Sequence, residues 1–339
     1  MLTVLDALPD GLLTRDAARV WELLRGPTLI HLPGRREPPL FVSVLLHGNE
    51  TTGWDAVRAL LARYAGRALP RALSLFVGNV AAARAGVRRL PGQPDYNRVW
   101  TPGKDFAPER ALMAEVVAAM AARGVFASVD VHNNTGRNPH YACVNRLMPA
   151  YLHLATLFSR TVVYFRKPDG VQSMAFAELC PAVTLECGQP GQAGSMAHAL
   201  DYLEACLHLN ELPSHPVAPQ DIGLFHTVAV VKVPPHTRFG FGAQPTEDCS
   251  LCFAEDLDHY NFHELPQGTV LGYVNGCHVR LEAWDEQGAD VGERYFTVEQ
   301  GTLRTRLPVM PSMLTRDENI IRQDCLCYLM ERLPLQETA

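Results

Sequence analysis

No apolar run in this 339-residue chain approaches the length that a membrane-spanning helix requires. The N-terminal stretch MLTVLDALPDGLL has no basic segment followed by an apolar core. Neither a transmembrane protein nor a signal peptide is therefore expected, and the cytoplasm is the default compartment. Positive charge is also short. A net charge of −6 argues against nucleic acid or an anionic membrane as the main partner. The nine cysteines are odd in number and irregular in spacing, which fits reduced thiols better than a disulfide framework. Cys249 and Cys252 form a CxxC and Cys325 and Cys327 a CxC, enough donors for a structural zinc, but scattered buried thiols are the expected state. No internal repeat or low-complexity tract is present.

What the chain does contain is a core. At 47% hydrophobic and 19% charged it reads as an ordinary soluble globular protein, long enough for two domains. Up to about residue 212, strand-like runs alternate with helical ones. Strands are expected at Thr28–Leu32, Phe41–Leu46, Ala72–Val77, Val125–Val131, Thr161–Phe165 and Ala182–Glu186. Helices are expected around Arg15–Arg25 and over Thr51–Gly66, Ala107–Arg123, Arg146–Arg160 and Gly191–Leu209, with Val80–Pro94 irregular. The implied fold is α/β, a mixed, largely parallel sheet with helices on both faces. PSHPVAP, at 213–219, reads as a linker. Beyond it come short β-type runs at Leu224–Val233, Thr269–Val274, His278–Trp284 and Tyr295–Val298. The expected domains are residues 1–212 and a smaller, β-rich 220–339.

Chemistry concentrates where strands end. FVSVLLHGNE places His47 and Glu50 just after a buried strand, where open α/β sheets hold ligands. A His-x-x-Glu arises by accident about once in a chain of this composition, and His208 with Glu211 is such an accident, at a helix end before Pro. Position after a strand separates the two pairs. His132, in DVHNNTG, is the natural third ligand, and two imidazoles with a carboxylate make a catalytic zinc set with one position open. Asp130 lies on the same strand face, either to orient a ligand or as a plain buried ion-pair partner. Glu186, closing AVTLE, is the candidate general base. Asn97 and Arg98 can grip a substrate carboxylate, the guanidinium by its fork and the amide by one more donor.

HGNE, the Gly78-Asn79 strand end, DYNRVW, DVHNNTG and TLECGQPG, in this order, resemble the succinylglutamate desuccinylase and aspartoacylase family, relatives of the zinc carboxypeptidases. The motifs cover roughly residues 41–195, and the β-rich remainder suits the family's second domain. The resemblance implies one zinc on His47, Glu50 and His132, Glu186 as base, and Asn97 and Arg98 on a substrate carboxylate. It implies a zinc-dependent amidohydrolase acting on an N-acyl amino acid or related small amide. A metallocarboxypeptidase and a catalytically inactive zinc-binding protein are the alternatives. Small-molecule substrate is the implied partner, with no nucleic acid or membrane, and a homo-oligomer is compatible with it.

Three positions depart from the family pattern. Tyr96 stands where Leu is usual. The Arg that polarises the scissile carbonyl is displaced by Pro91-Gly92-Gln93-Pro94, so Arg88 and Arg89 compete for that role. A second carboxylate-binding Arg, about ten residues before the base in aspartoacylase-type members, is replaced by Phe176, and the nearest earlier Arg is Arg166. A substrate with two carboxylates is thereby disfavoured. Tyr295 matches loosely a Tyr that reaches the substrate pocket, against the plainer reading of a half-buried strand residue.

Overall fold

The structure, a computed structural model, describes residues 1–103, 107–244, 250–275 and 279–335. The chain divides into two compact units, residues 1–133, 140–164 and 168–223 in one, and 134–139, 165–167 and 224–339 in the other.

The first unit is built on strands most of whose side chains are buried on both faces, hence their near-continuous apolar composition, with β1 exposed. They are β1 (Thr3–Leu5), β2 (Thr28–Leu32), β3 (Leu40–Val44), β4 (Leu73–Val77), β5 (Ala127–His132), β6 (Tyr141–Val144), β7 (Thr161–Tyr164) and β8 (Ala182–Glu186). They lie in the order β1-β2-β4-β3-β5-β8-β6-β7. β3 is parallel to both β4 and β5, and β5 to β8, whereas β6 runs antiparallel to β8. The sheet is thus mixed and largely parallel, as the alternation of strand and helix implies. Chain order reverses at β3, whose neighbours are β4 on one side and β5 on the other. In open α/β sheets such a reversal places ligands at the carboxyl ends of the flanking strands, here β3 and β5.

Helices cover both faces. α1 (Thr52–Arg63) buries Trp54, Val57, Leu60 and Leu61, and its Gly53 lies against the side chains of Val44 and Val131. On the opposite face Phe41 stacks on Phe176, ring centroids 4.1 Å apart. α2 (Val80–Ala85) follows β4 directly, capped by the Asn79 side chain, which accepts from the Ala82 amide. It occupies a stretch expected to be irregular, because one capped turn and a half is too short for a periodic apolar pattern. α3 (Pro108–Arg123), α4 (Pro149–Thr156), α5 (Gln172–Phe176) and α6 (Ser195–His208) complete the unit. The helix expected around Arg15–Arg25 is two 3-10 turns, Leu12–Thr14 and Ala17–Glu22, with Ala17 and Val20 buried at a spacing of three.

The second unit is mostly β. β9 (Gly223–Lys232) pairs antiparallel with β13 (Glu282–Asp285) and β17 (Cys327–Arg332), and β17 with β16 (Met310–Ser312). A separate sheet runs β10-β11-β12-β15-β14, over Phe239–Phe241, Leu251–Phe253, Val270–Val274, Thr302–Thr305 and Phe296–Glu299. Val231, Phe253, Leu257, Leu271, Phe296 and Leu329 are among its core residues. The seven cysteines described are all buried, including Cys252, Cys325 and Cys327, while Cys249 lies outside the described residues. Among the described residues no helix is long and apolar enough to cross a membrane.

Candidate metal centre

β3 ends at Val44, and Leu45 takes a positive φ of 56°. A left-handed leucine costs on the order of 1–2 kcal/mol. It is held there by bonds from the Gly78 amide to the Val44 carbonyl and from the Asn79 amide to the Leu45 carbonyl, 3.0 and 2.7 Å. The kink turns His47 and Glu50 out of the sheet plane. Gly48 then passes so close to α2 that a Cβ would lie 2.1 Å from the Ala82 carbonyl carbon, so only glycine fits. The amide of Gly48 donates to the Arg88 carbonyl at 3.1 Å, which ties the ligand turn to the segment behind it.

His132 is the last residue of β5 and pairs across the ladder with Glu186, the last residue of β8, so the two side chains leave the sheet side by side. His47, Glu50 and His132 are all buried, and one ligand atom from each lies within 4.8 Å of the others. Glu50 sits between the imidazoles, Oε1 2.8 Å from His47 Nδ1 and Oε2 2.7 Å from His132 Nδ1. The Asn133 amide also donates to Oε2, at 3.1 Å.

The far sides of both rings meet carboxylates. His47 Nε2 is 2.9 Å from Asp95 Oδ1, and His132 Nε2 is 2.8 Å from Asp130 Oδ2. A carboxylate at Nε2 favours a proton there, the arrangement that frees Nδ1 to bind a metal. Bonds of about 2.1 Å at tetrahedral angles put ligand atoms about 3.4 Å apart, within the 2.7 to 4.8 Å found here. The three groups could therefore hold a metal ion. Asp130 is itself fixed by the Ser43 hydroxyl, 2.6 Å away on β3. Burial alone would push Glu50 up, but the two imidazoles outweigh it and hold the carboxyl well below the usual range. Asp95, a little more exposed, is held low by His47 and Arg88 against the opposing effect of burial. His132 goes the other way: burial opposes its charge, yet Asp130 and Glu50 raise its pKa well above the ordinary value.

Arg88 and Arg89 separate clearly. Arg88 places Nη2 2.9 Å from Asp95 Oδ2 and Nη1 3.5 Å from Glu50 Oε1. Arg89 instead donates to the Gln93 carbonyl at 3.1 Å, within its own turn. Asn97 is buried with Nδ2 3.1 Å from His132 Nε2, its amide donates to Asp95 Oδ1 at 2.8 Å, and Arg98 donates to the Asn97 carbonyl at 2.9 Å. Glu186 is 6% exposed, and its charge helps burial push the Cys143 thiol up. Tyr295, by contrast, is a core residue of the second unit, 3% exposed, with the Arg294 guanidinium over its ring.

A family model, the succinylglutamate desuccinylase/aspartoacylase catalytic domain, matches residues 37–207, half of the chain. The chain belongs to this family. Relatives of this family hydrolyse amide bonds, and the chain is an enzyme of that class. Solved structures with the same fold include the succinylglutamate desuccinylase of Chromobacterium violaceum, 18% identical, covering 90% of this chain and 87% of that one at a TM-score of 0.55. Murine aminoacylase 3 is 14% identical, with 88% and 97% covered and a TM-score of 0.55. An ectoine utilization protein of Ruegeria pomeroyi, solved with product bound, is 14% identical, with 90% and 88% covered and a TM-score of 0.54. No curated protein matches the chain.

Within the desuccinylase/aspartoacylase pattern, the departures noted above have structural counterparts. Tyr96 is buried. Phe176 is fully buried on Phe41, with Trp100 at its edge, so this position offers no guanidinium. Arg166 belongs to the second unit and pairs with Glu286 at 3.4 Å. Asp95 was not singled out from sequence, although a second imidazole ligand calls for a second orienting carboxylate, and DYNRVW supplies one two residues before Asn97.

Proposed function

We propose that the protein is a zinc-dependent amidohydrolase cleaving an N-acyl amino acid, or a related small amide, that carries one free carboxylate. The observation that carries the reading is the placement of both histidines, each Nε2 within 2.9 Å of a carboxylate and each Nδ1 turned to Glu50. His47, Glu50 and His132 would hold the ion, which when bound would acidify water and polarise a carbonyl. Nitrogen and carboxylate donors in this ratio suit zinc.

Glu186 accepts the proton of the attacking water and returns it to the departing amine. Its place beside His132 at the strand ends suits both transfers. Arg88, held by Asp95, directs its guanidinium to the charge that develops on the carbonyl oxygen. Asn97 and Arg98 grip the substrate carboxylate. With Phe176 in place of a second clamp, the reading favours a monocarboxylate. The catalytic machinery lies in a domain spanning 1–212, with 220–339 as a β-rich accessory domain.

The test is elemental analysis followed by an activity screen of zinc-loaded protein on N-acetyl amino acids, their methyl esters and short peptides. About one zinc per chain and turnover confined to free-acid N-acyl amino acids are expected. Full metal content in His47→Ala and His132→Ala would overturn the site.

A further inference from the structure

Asn97 can donate to a carboxylate only if its amide nitrogen, not its oxygen, faces the site, and the elements that settle this lie outside the ligand motifs. The Gln172 backbone amide donates to Asn97 Oδ1 at 2.9 Å in a fully buried setting. A flipped Asn97 would set donor against donor there, so Nδ2 points away from Gln172. It lies 3.1 Å from His132 Nε2, and an amide nitrogen carries two hydrogens, so one remains for an incoming group.

Gln172 is anchored in turn. Its side-chain Nε2 donates to Ser128 Oγ at 2.7 Å, on the same face of β5 as Asp130 and His132. Two residues earlier, Gly170 has φ of +80°, accepts from the Trp100 amide at 2.9 Å, and lies so close to Arg98 that a Cβ would stand 2.3 Å from the Arg98 carbonyl oxygen. The segment from Gly170 to Gln172 thus touches the Asn97–Trp100 stretch at its side chain, its carbonyl and its next amide.

We infer that Gly170 and Gln172, with Ser128 behind them, are positioning residues that orient Asn97 and Arg98 for the substrate carboxylate. This rests on the carboxylate grip proposed above. The signature of such a role is selectivity: disturbing it weakens binding of the acid and leaves its neutral ester untouched, whereas general damage lowers both.

The experiment measures binding of N-acetyl-L-alanine and N-acetyl-L-methionine, and of their methyl esters, to zinc-loaded protein by calorimetry. Glu186→Gln serves as background so that turnover is slowed at least about a hundredfold during the measurement. Gly170→Ala and Ser128→Ala are added singly, with zinc content measured for each. The parent should bind the acids at least about tenfold more tightly than the esters. Gly170→Ala should remove most of that preference and Ser128→Ala part of it, with ester binding and zinc unchanged. Ser128→Ala decides the matter if Gly170→Ala does not fold. A parent without acid preference would overturn the grip and this inference with it. A parent with the preference, kept in full by the variants or lost together with ester binding and zinc, would overturn the inference alone.

Discussion

Asp95 offers an unusually discriminating perturbation, because its two oxygens serve different partners. Oδ1 accepts from His47 Nε2 at 2.9 Å and from the Asn97 amide at 2.8 Å, while Oδ2 accepts from Arg88 at 2.9 Å. Asp95→Asn can keep its carbonyl oxygen on the first two partners, but it then turns an NH₂ toward the guanidinium. The His47 tautomer survives and Arg88 loses its hold. Asp95→Ala loses both. A hydrogen bond to a charged group contributes on the order of 1.5–3 kcal/mol, and the side chains of Asp95 and Arg88 are each only 12% exposed, so little screening reduces it. Removing an orienting carboxylate weakens metal binding about 10–100-fold.

Asp95→Asn should accordingly hold zinc within about tenfold of the parent but lose turnover, on the order of 10²-fold if Arg88 serves the carbonyl oxygen. Asp95→Ala should lose both. Chelator-competition titration and kcat/KM on the same preparations separate the two effects. Equal loss of zinc in the two variants would refute the assignment of Oδ1 to the ligand tautomer, and normal turnover in Asp95→Asn would remove Arg88 from the chemistry.

Glu186→Gln should keep its zinc and its melting temperature while turnover falls at least about a hundredfold, since general acid–base groups contribute about 10²–10⁴ in rate. Zinc loss instead would make Glu186 a ligand. The metal-free protein should lose melting temperature above about pH 6.5, because the raised pKa of His132 stabilises the fold below its unfolded value and that contribution disappears as pH climbs through the folded one. Glu50 and Asp95, both held low, act in the opposite sense: their contribution is present above about pH 4 and lost on further acidification. Calorimetry of chelator-treated protein between pH 3 and 9 should show a stability maximum on the acid side of neutrality, and a curve flat from pH 6 to 9 would contradict the buried His132 pairing.

Residues at strand ends were readable from the sequence because an apolar run stops abruptly on a polar group. His47, Glu50, His132 and Glu186 all follow such runs, and the sheet brings β3, β5 and β8 together as neighbours. The mixed, largely parallel sheet follows from the same alternation. Tyr141–Val144 was not readable, since four residues carry no usable period, and its antiparallel pairing depends on β8 being in place. The choice of Arg88 over Arg89 also belonged to tertiary structure. Adjacent arginines in an irregular segment are equivalent in sequence, and only the Gly48 bond to the Arg88 carbonyl and the position of Asp95 distinguish them. Gln172 lies 75 residues from the Asn97 it orients, through a backbone amide that every residue but proline possesses. Side-chain chemistry at the ends of buried strands is local and is written in the sequence. Which backbone groups and second carboxylates meet those side chains is decided by packing between distant segments, and the fold alone determines it.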